Sequence, residues 1–306
     1  MIKHVKKWAL THRLIAFSRS VSPWGFDGAS LYEVSHFFIQ RMTQGEIAIR
    51  ARSIAFSFFL AIFPAIIFLF SLIPFIPVDN LQEELLLLLR DLLPPHTYEA
   101  SRQTIEDIVT RQRYSLLSLG FIFTLYISSD GVMSMINAFN AGNTSKSHFM
   151  GMRLRCIGLT LFLALLILIT LVLIIASEVV IYYLSQTMKL TSGIPIAAIV
   201  TGKWILLLLL CFTAISCLYY FGSVRHVKYR FISPGSLLAT LLIVLTSLAF
   251  NFFISNFGQY NKIYGSIGTL IILLLWLDFN CRQLIIGYEL NAAIRKANQG
   301  RSTLVL

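Results

Sequence analysis

Along the chain, apolar residues gather into long runs that charge scarcely interrupts, separated by shorter polar segments. A helix crossing a hydrocarbon core of ~30 Å at ~1.5 Å per residue needs about 20 apolar residues. Six runs reach that length, at about Ile54–Ile76, Tyr114–Ala138, Cys156–Leu184, Ile199–Phe221, Pro234–Ser255 and Tyr264–Asn291. The pattern predicts an all-α fold, a polytopic transmembrane helical bundle of six spans over residues 54–291. Pro64 sits inside the first run, with Pro74 and Pro77 near its end, so a kink is expected there.

Two polar stretches have a different period. Leu31, Val34, Phe37, Phe38 and Met42 recur at helical spacing, which predicts an amphipathic helix within a basic N-terminal arm, residues 1–53. Such a helix either lies in the membrane surface or packs on the ends of the bundle. Residues 78–113 read as an amphipathic helical hairpin. Leu81–Leu93 is too short to span, Pro94-Pro95 stops it, and Ile105, Ile108 and Val109 mark one face of a second helix. Residues 292–306 read as a basic tail.

Composition agrees with this picture. The 306 residues are 57% hydrophobic and 13% charged, where soluble domains hold roughly 45–50% apolar and about 25% charged residues. A net charge of +11 would suggest nucleic acid in a soluble protein, so the placement of the charge matters. Alternate polar segments (the N-terminal arm, 146–155, 225–230 and 295–301) carry 8, 3, 3 and 3 Lys/Arg. The intervening ones carry four, balanced by seven acids in 78–113, then Lys189 with Lys203, then Lys262. That alternation predicts a chain crossing a bacterial-type lipid bilayer with both termini cytoplasmic and the hairpin on the outer, periplasmic surface. Its surroundings are membrane lipids, with no nucleic-acid partner. Lys3, Lys6 and Lys7 precede Trp8-Ala9-Leu10, but His12 and Arg13 end that run too early for a signal peptide. Cys156, Cys211, Cys217 and Cys281 all lie in apolar runs without CxxC spacing, which suits packing rather than zinc or disulfides.

Polar groups inside the spans hold the functional information, since an acid at a helix centre costs ~2.5–3.5 kcal/mol on insertion scales. Asp278 is nearest mid-membrane, Asp130 lies in the inner third and Glu178 in the outer third. Asp278 and Arg282 are four apart and share a face. They form either a self-neutralising pair or the charged lining of a polar path, and Asn280, Gln283 and Glu289 add polarity to the same helix. Asp130, between Ser128-Ser129 and Gly131, marks a broken helix at a ligand site or a close helix contact. Glu178, with Tyr182 and Tyr183 nearby, suits the outer interface. The connection Ser255–Gly268 concentrates amides, phenols and glycines, including Asn256, Gly258, Tyr260, Asn261, Tyr264 and Gly265. It reads as an outer gate or as a tight hairpin whose side chains cap helix ends.

Three stretches resemble the YihY/BrkB family of bacterial inner-membrane proteins, once labelled ribonuclease BN. They are Ala55–Pro64 running on to Leu72–Pro77, the Ser255–Gly268 connection, and Leu274–Leu277 through Gly287-Tyr288-Glu289-Leu290-Asn291-Ala292; Ser128–Val132 is a weaker match. The resemblance covers roughly residues 40–295 and implies a six-helix inner-membrane fold with no agreed biochemical activity; transport of lipids or small solutes is a proposal for such proteins. Glu289 and Asn291 match the family pattern, whereas Asp278 and Arg282 replace largely apolar positions, so no shared family site is read from that pair.

The functional expectation is a transporter or lipid-handling protein, possible as a homo-oligomer or with a periplasmic or envelope protein partner; the alternative is a scaffold or assembly factor. A nuclease would need a carboxylate cluster or a His pair, and His4, His12, His36, His96, His148 and His226 are scattered singly. No Walker, Rossmann or haem pattern occurs, so no enzyme activity, catalytic residue, cofactor or metal is expected.

Overall fold

The computed structural model describes residues 18–23, 25–44, 47–72, 99, 114–141, 149–187, 194–222, 231–256 and 260–302. Among them the long helices are α1 (Leu31–Gln44), α2 (Ile47–Leu72), α3 (Tyr114–Phe139), α4 (Phe149–Thr187), α5 (Ile194–Gly222), α6 (Pro234–Asn256) and α7 (Tyr260–Ser302). The six helices α2 to α7 are each long and apolar enough to cross a membrane, so the chain is a multi-pass membrane protein. The hairpin expected at 78–113 lies, but for Glu99, outside the described residues.

Helices outrun the apolar runs that announce them. α2 begins at Ile47 rather than Ile54, α4 at Phe149 rather than Cys156, and α7 starts at Tyr260 and ends at Ser302 rather than spanning Tyr264–Asn291. The extra turns at one end carry Arg50 and Arg52, Arg153 and Arg155, Arg295 and Lys296. Backbone hydrogen bonding continues through polar turns that hydropathy does not register. The expected basic tail is thus mostly the last turns of α7. Pro64 lies within α2, which continues to Leu72.

Each span packs on the next in sequence, and α7 closes back on α2, so the six form a ring. The end holding α1, the starts of α2, α4 and α6 and the finishes of α3, α5 and α7 is called here the basic end. Its core joins Ile54, Met135, Cys156, Tyr219, Ala239 and Ile285 from the six spans. Toward the other end fewer of the described side chains are buried. Among the described residues nothing is buried in α2 beyond Ala61, in α3 before Ser129, in α5 before Ile215 or in α6 beyond Thr240. In α7, Gly268 alone is buried before Cys281, and α4 adds only Leu166 and Ser177 beyond Leu159.

α1 lies across the basic end, the second of the two placements the sequence allows. Its start is a capping box: Glu33 N–H donates to Ser30 Oγ and Ser30 N–H to Glu33 Oε2, both at 3.2 Å. Val34 packs with Phe26 and Ala29 against Ala293, Ile294 and Ala297 of α7. Gly25, Asp27 and Gly28 have positive φ, and this tight turn lets Asn298 Nδ2 donate to the Phe26 carbonyl at 3.1 Å.

Candidate functional site

One face of α7 organises the polar chemistry. Asp278, Arg282, Ile285, Glu289 and Ala292 recur at three- and four-residue steps, so they lie on one stripe. Cys281, Ile285, Glu289 and Ala292 are all buried, which turns the stripe toward the bundle interior.

At the basic end the stripe ends in Glu289, whose side chain is 4% exposed. Arg41 of α1 donates to its Oε2 at 2.6 Å, and Arg50 of α2 to its Oε1 at 2.9 Å. Arg50 also donates to the Ala138 carbonyl at the end of α3, at 2.8 Å. One carboxylate therefore ties four helices, and its buried charge is compensated as a desolvated carboxylate requires. Next to it, Asn291 accepts from Gly235 N–H and donates to Ser233 Oγ, both at 2.8 Å. Ser233 caps α6, accepting from Ser236 N–H at 3.1 Å, with Pro234 in the first turn. Gly235 and Gly287 let α6 and α7 touch backbone to backbone: a Cβ on either would overlap the other's carbonyl oxygen. Phe139 stacks on Tyr288 at 4.4 Å between centroids, Tyr219 meets both rings edge-on, and its hydroxyl donates to the Leu284 carbonyl at 2.6 Å. These contacts shut the ring at the basic end.

Three turns up the stripe, Asp278 and Arg282 form the pair their spacing predicts. Arg282 Nε and Nη2 both donate to Asp278 Oδ2, at 2.9 and 2.6 Å. Asp278 is 14% and Arg282 32% exposed, and Asp278 Oδ1 is buried without a partner. A buried acceptor left unsatisfied costs about 1–3 kcal/mol, more when charged. Arg282 lies between the buried Cys281 and Ile285, and Asp278 is the next step along the stripe. Next to Arg282, Gln283 Nε2 donates to Thr246 Oγ1 of α6 at 2.8 Å. Asn280, on another face, donates to its own helix at the Trp276 carbonyl, at 2.7 Å.

The other acids stand elsewhere. Asp130 is bound by Arg153 of α4 at 2.5 Å, and that guanidinium lies 4.1 Å from the Tyr126 ring centroid. α3 runs unbroken through Asp130, and α2 and α3 pack closely there, since a Cβ on Gly131 would overlap the Phe58 ring. Glu178 is 62% exposed and receives Lys203 of α5 at 2.8 Å, near the far end. Neither joins Asp278. Asn256 ends α6, while Tyr260, Asn261, Tyr264 and Gly265 fall in the first turns of α7. The connection is therefore shorter than Ser255–Gly268, and Gly258 within it lies outside the described residues. Among the described residues no three His, Cys, Asp or Glu side chains gather as a metal site requires. Arg41 and Arg50 are the site residues the sequence did not reveal; the signal was Glu289 itself, a span acid that needs a cation.

The family described as "Virulence factor BrkB" matches residues 38–304. A Bacillus subtilis relative, the ribonuclease-like protein YfkH, is 26% identical over 84% of this chain and 93% of its own length. A UPF0761 membrane protein of Histophilus somni is 24% identical over 84% of this chain and 88% of its own. One from Pseudoalteromonas translucida is 36% identical over 24% of each. No solved structure matches the chain.

Proposed function

We propose, starting from the fact that the chain belongs to the virulence factor BrkB family, that it carries a lipid or small solute through the bacterial inner membrane. In this reading the basic end faces the cytoplasm, because Lys and Arg concentrate in the segments on that side. The interior is closed on the cytoplasmic side and approachable from the other.

The observation that carries the reading is the change along the α7 stripe. From Ala292 to Ile285 its residues are buried, and the next steps are Arg282, about one-third exposed, and Asp278, a carboxylate with a buried, unpartnered oxygen. A purely structural helix would place an apolar side chain there. A translocation path needs a polar group that the protein itself leaves incompletely bonded. We assign no reaction, and the ribonuclease-like name of the Bacillus relative is not carried over.

The test is flux in proteoliposomes of the purified full chain, using fluorescent phospholipids and a panel of small solutes. Flux above protein-free vesicles is expected, falling about tenfold in Asp278→Asn with loss of a charged hydrogen-bond partner. An absence of flux for every probe would retire transport in favour of a scaffold or assembly factor.

A further inference from the structure

The Asp278–Arg282 pair is built differently from one that only neutralises itself. A fork-to-fork pair places guanidinium N–H groups on both carboxylate oxygens. Here both contacts fall on Oδ2, and Oδ1 is buried without a donor. The Arg282 side chain is about one-third exposed, and its Nη1 takes no part in the pair. An acceptor and a cationic donor therefore stand side by side, at the edge of the buried core.

Charge balance limits what fits against them. A lone cation would leave the site with a net positive charge and a lone anion with a net negative one, and both are costly at this depth. A ligand carrying both charges leaves the sum at zero. The buried oxygen further requires a hydrogen to accept, which a primary ammonium supplies and a trimethylammonium lacks.

We propose that Asp278 and Arg282 form a receptor for a zwitterionic group, its primary ammonium donating to Asp278 Oδ1 and its anionic part taken by Arg282. This rests on the transport reading for its purpose, but binding is measured separately. A phosphoethanolamine group has the required chemistry, as a lipid head group or free in solution.

The experiment is native mass spectrometry of the detergent-solubilised full chain, titrated with phosphatidylethanolamine, phosphatidylcholine and phosphatidylglycerol of identical acyl chains. Phosphatidylethanolamine is expected to bind about tenfold tighter than the other two, as one charge-assisted hydrogen bond implies. The preference is expected to vanish in Asp278→Asn and in the double variant Asp278→Leu/Arg282→Leu, which removes the pair with charge balanced and the fold kept. Asn280→Ala, on another face, should keep it. Competition by free phosphoethanolamine, or its failure to compete, separates a soluble source from a lipid one and supports the receptor either way. Equal binding of phosphatidylethanolamine and phosphatidylcholine, or a preference that survives the double variant, overturns the proposal. Preference without flux in proteoliposomes retires transport and keeps the receptor; flux without preference does the reverse.

Discussion

The two ends of the bundle use the same kind of helix and differ in what the helices touch. At the basic end small and aromatic residues interlock: Gly235 meets Gly287, Phe139 stacks on Tyr288, and Glu289 joins arginines from α1 and α2. Toward the far end most of the described side chains are exposed or half-buried, with Leu166 and Ser177 of α4 as exceptions, and Lys203 pairs there with Glu178 across α5 and α4. Hydrocarbon is as apolar as leucine, so association in a membrane depends on close packing and hydrogen bonds. Among the described residues, stability should therefore concentrate at the basic end.

The largest effect should come from Glu289→Ala, which leaves Arg50 in place with its charge uncompensated. Removing one partner of a buried pair costs about 3–5 kcal/mol, less here because Arg41 is 39% exposed. Thermal unfolding in detergent should show a large drop, and an unchanged midpoint would contradict the clamp. Gly235→Ala follows, since its Cβ meets the backbone of α7. Overpacking of this kind costs about 1–3 kcal/mol or more, and a folded, unshifted variant would deny the close crossing. Next comes a matched pair, Ile285→Ala against Ile205→Ala, at 0% and 52% exposure. The first should cost about 2 kcal/mol, mainly its cavity, and the second under about 0.5 kcal/mol because lipid replaces what is lost. Equal losses would erase the difference between the ends. Smallest is Lys203→Met: an exposed ion pair is worth about 0–1 kcal/mol, and a larger shift would mean that the far end is also held firmly.

The fold was legible because hydrocarbon imposes length and composition on every span, and Lys and Arg mark the turns between them. Asp278 with Arg282 was legible for a local reason: four residues on one helix bring two side chains together. Glu289 with Arg41 and Arg50 was not, since those partners lie 248 and 239 residues away and meet only once α7 has closed the ring. The final turns of α7 escaped notice for a related reason. Ala293 and Ala297 are small and their neighbours polar, so the segment resembles a tail until Val34 and Phe37 of α1 pack against it. Asp130 was ambiguous for the opposite reason. Its Ser-Ser-Asp-Gly setting suits a broken helix equally well, and what decides is Phe58 across the interface, which no local pattern contains.

The most direct test of the asymmetry is thiol labelling along the α7 stripe. In a functional background lacking Cys156, Cys211, Cys217 and Cys281, single cysteines replace Ile271, Leu274, Ile285 and Ala292. A membrane-impermeant maleimide is then added to the face opposite the basic end. Labelling at 271 and 274, with protection at 285 and 292, is the predicted result. Protection at all four positions, or equal labelling at all four, would contradict a bundle closed at one end and open at the other.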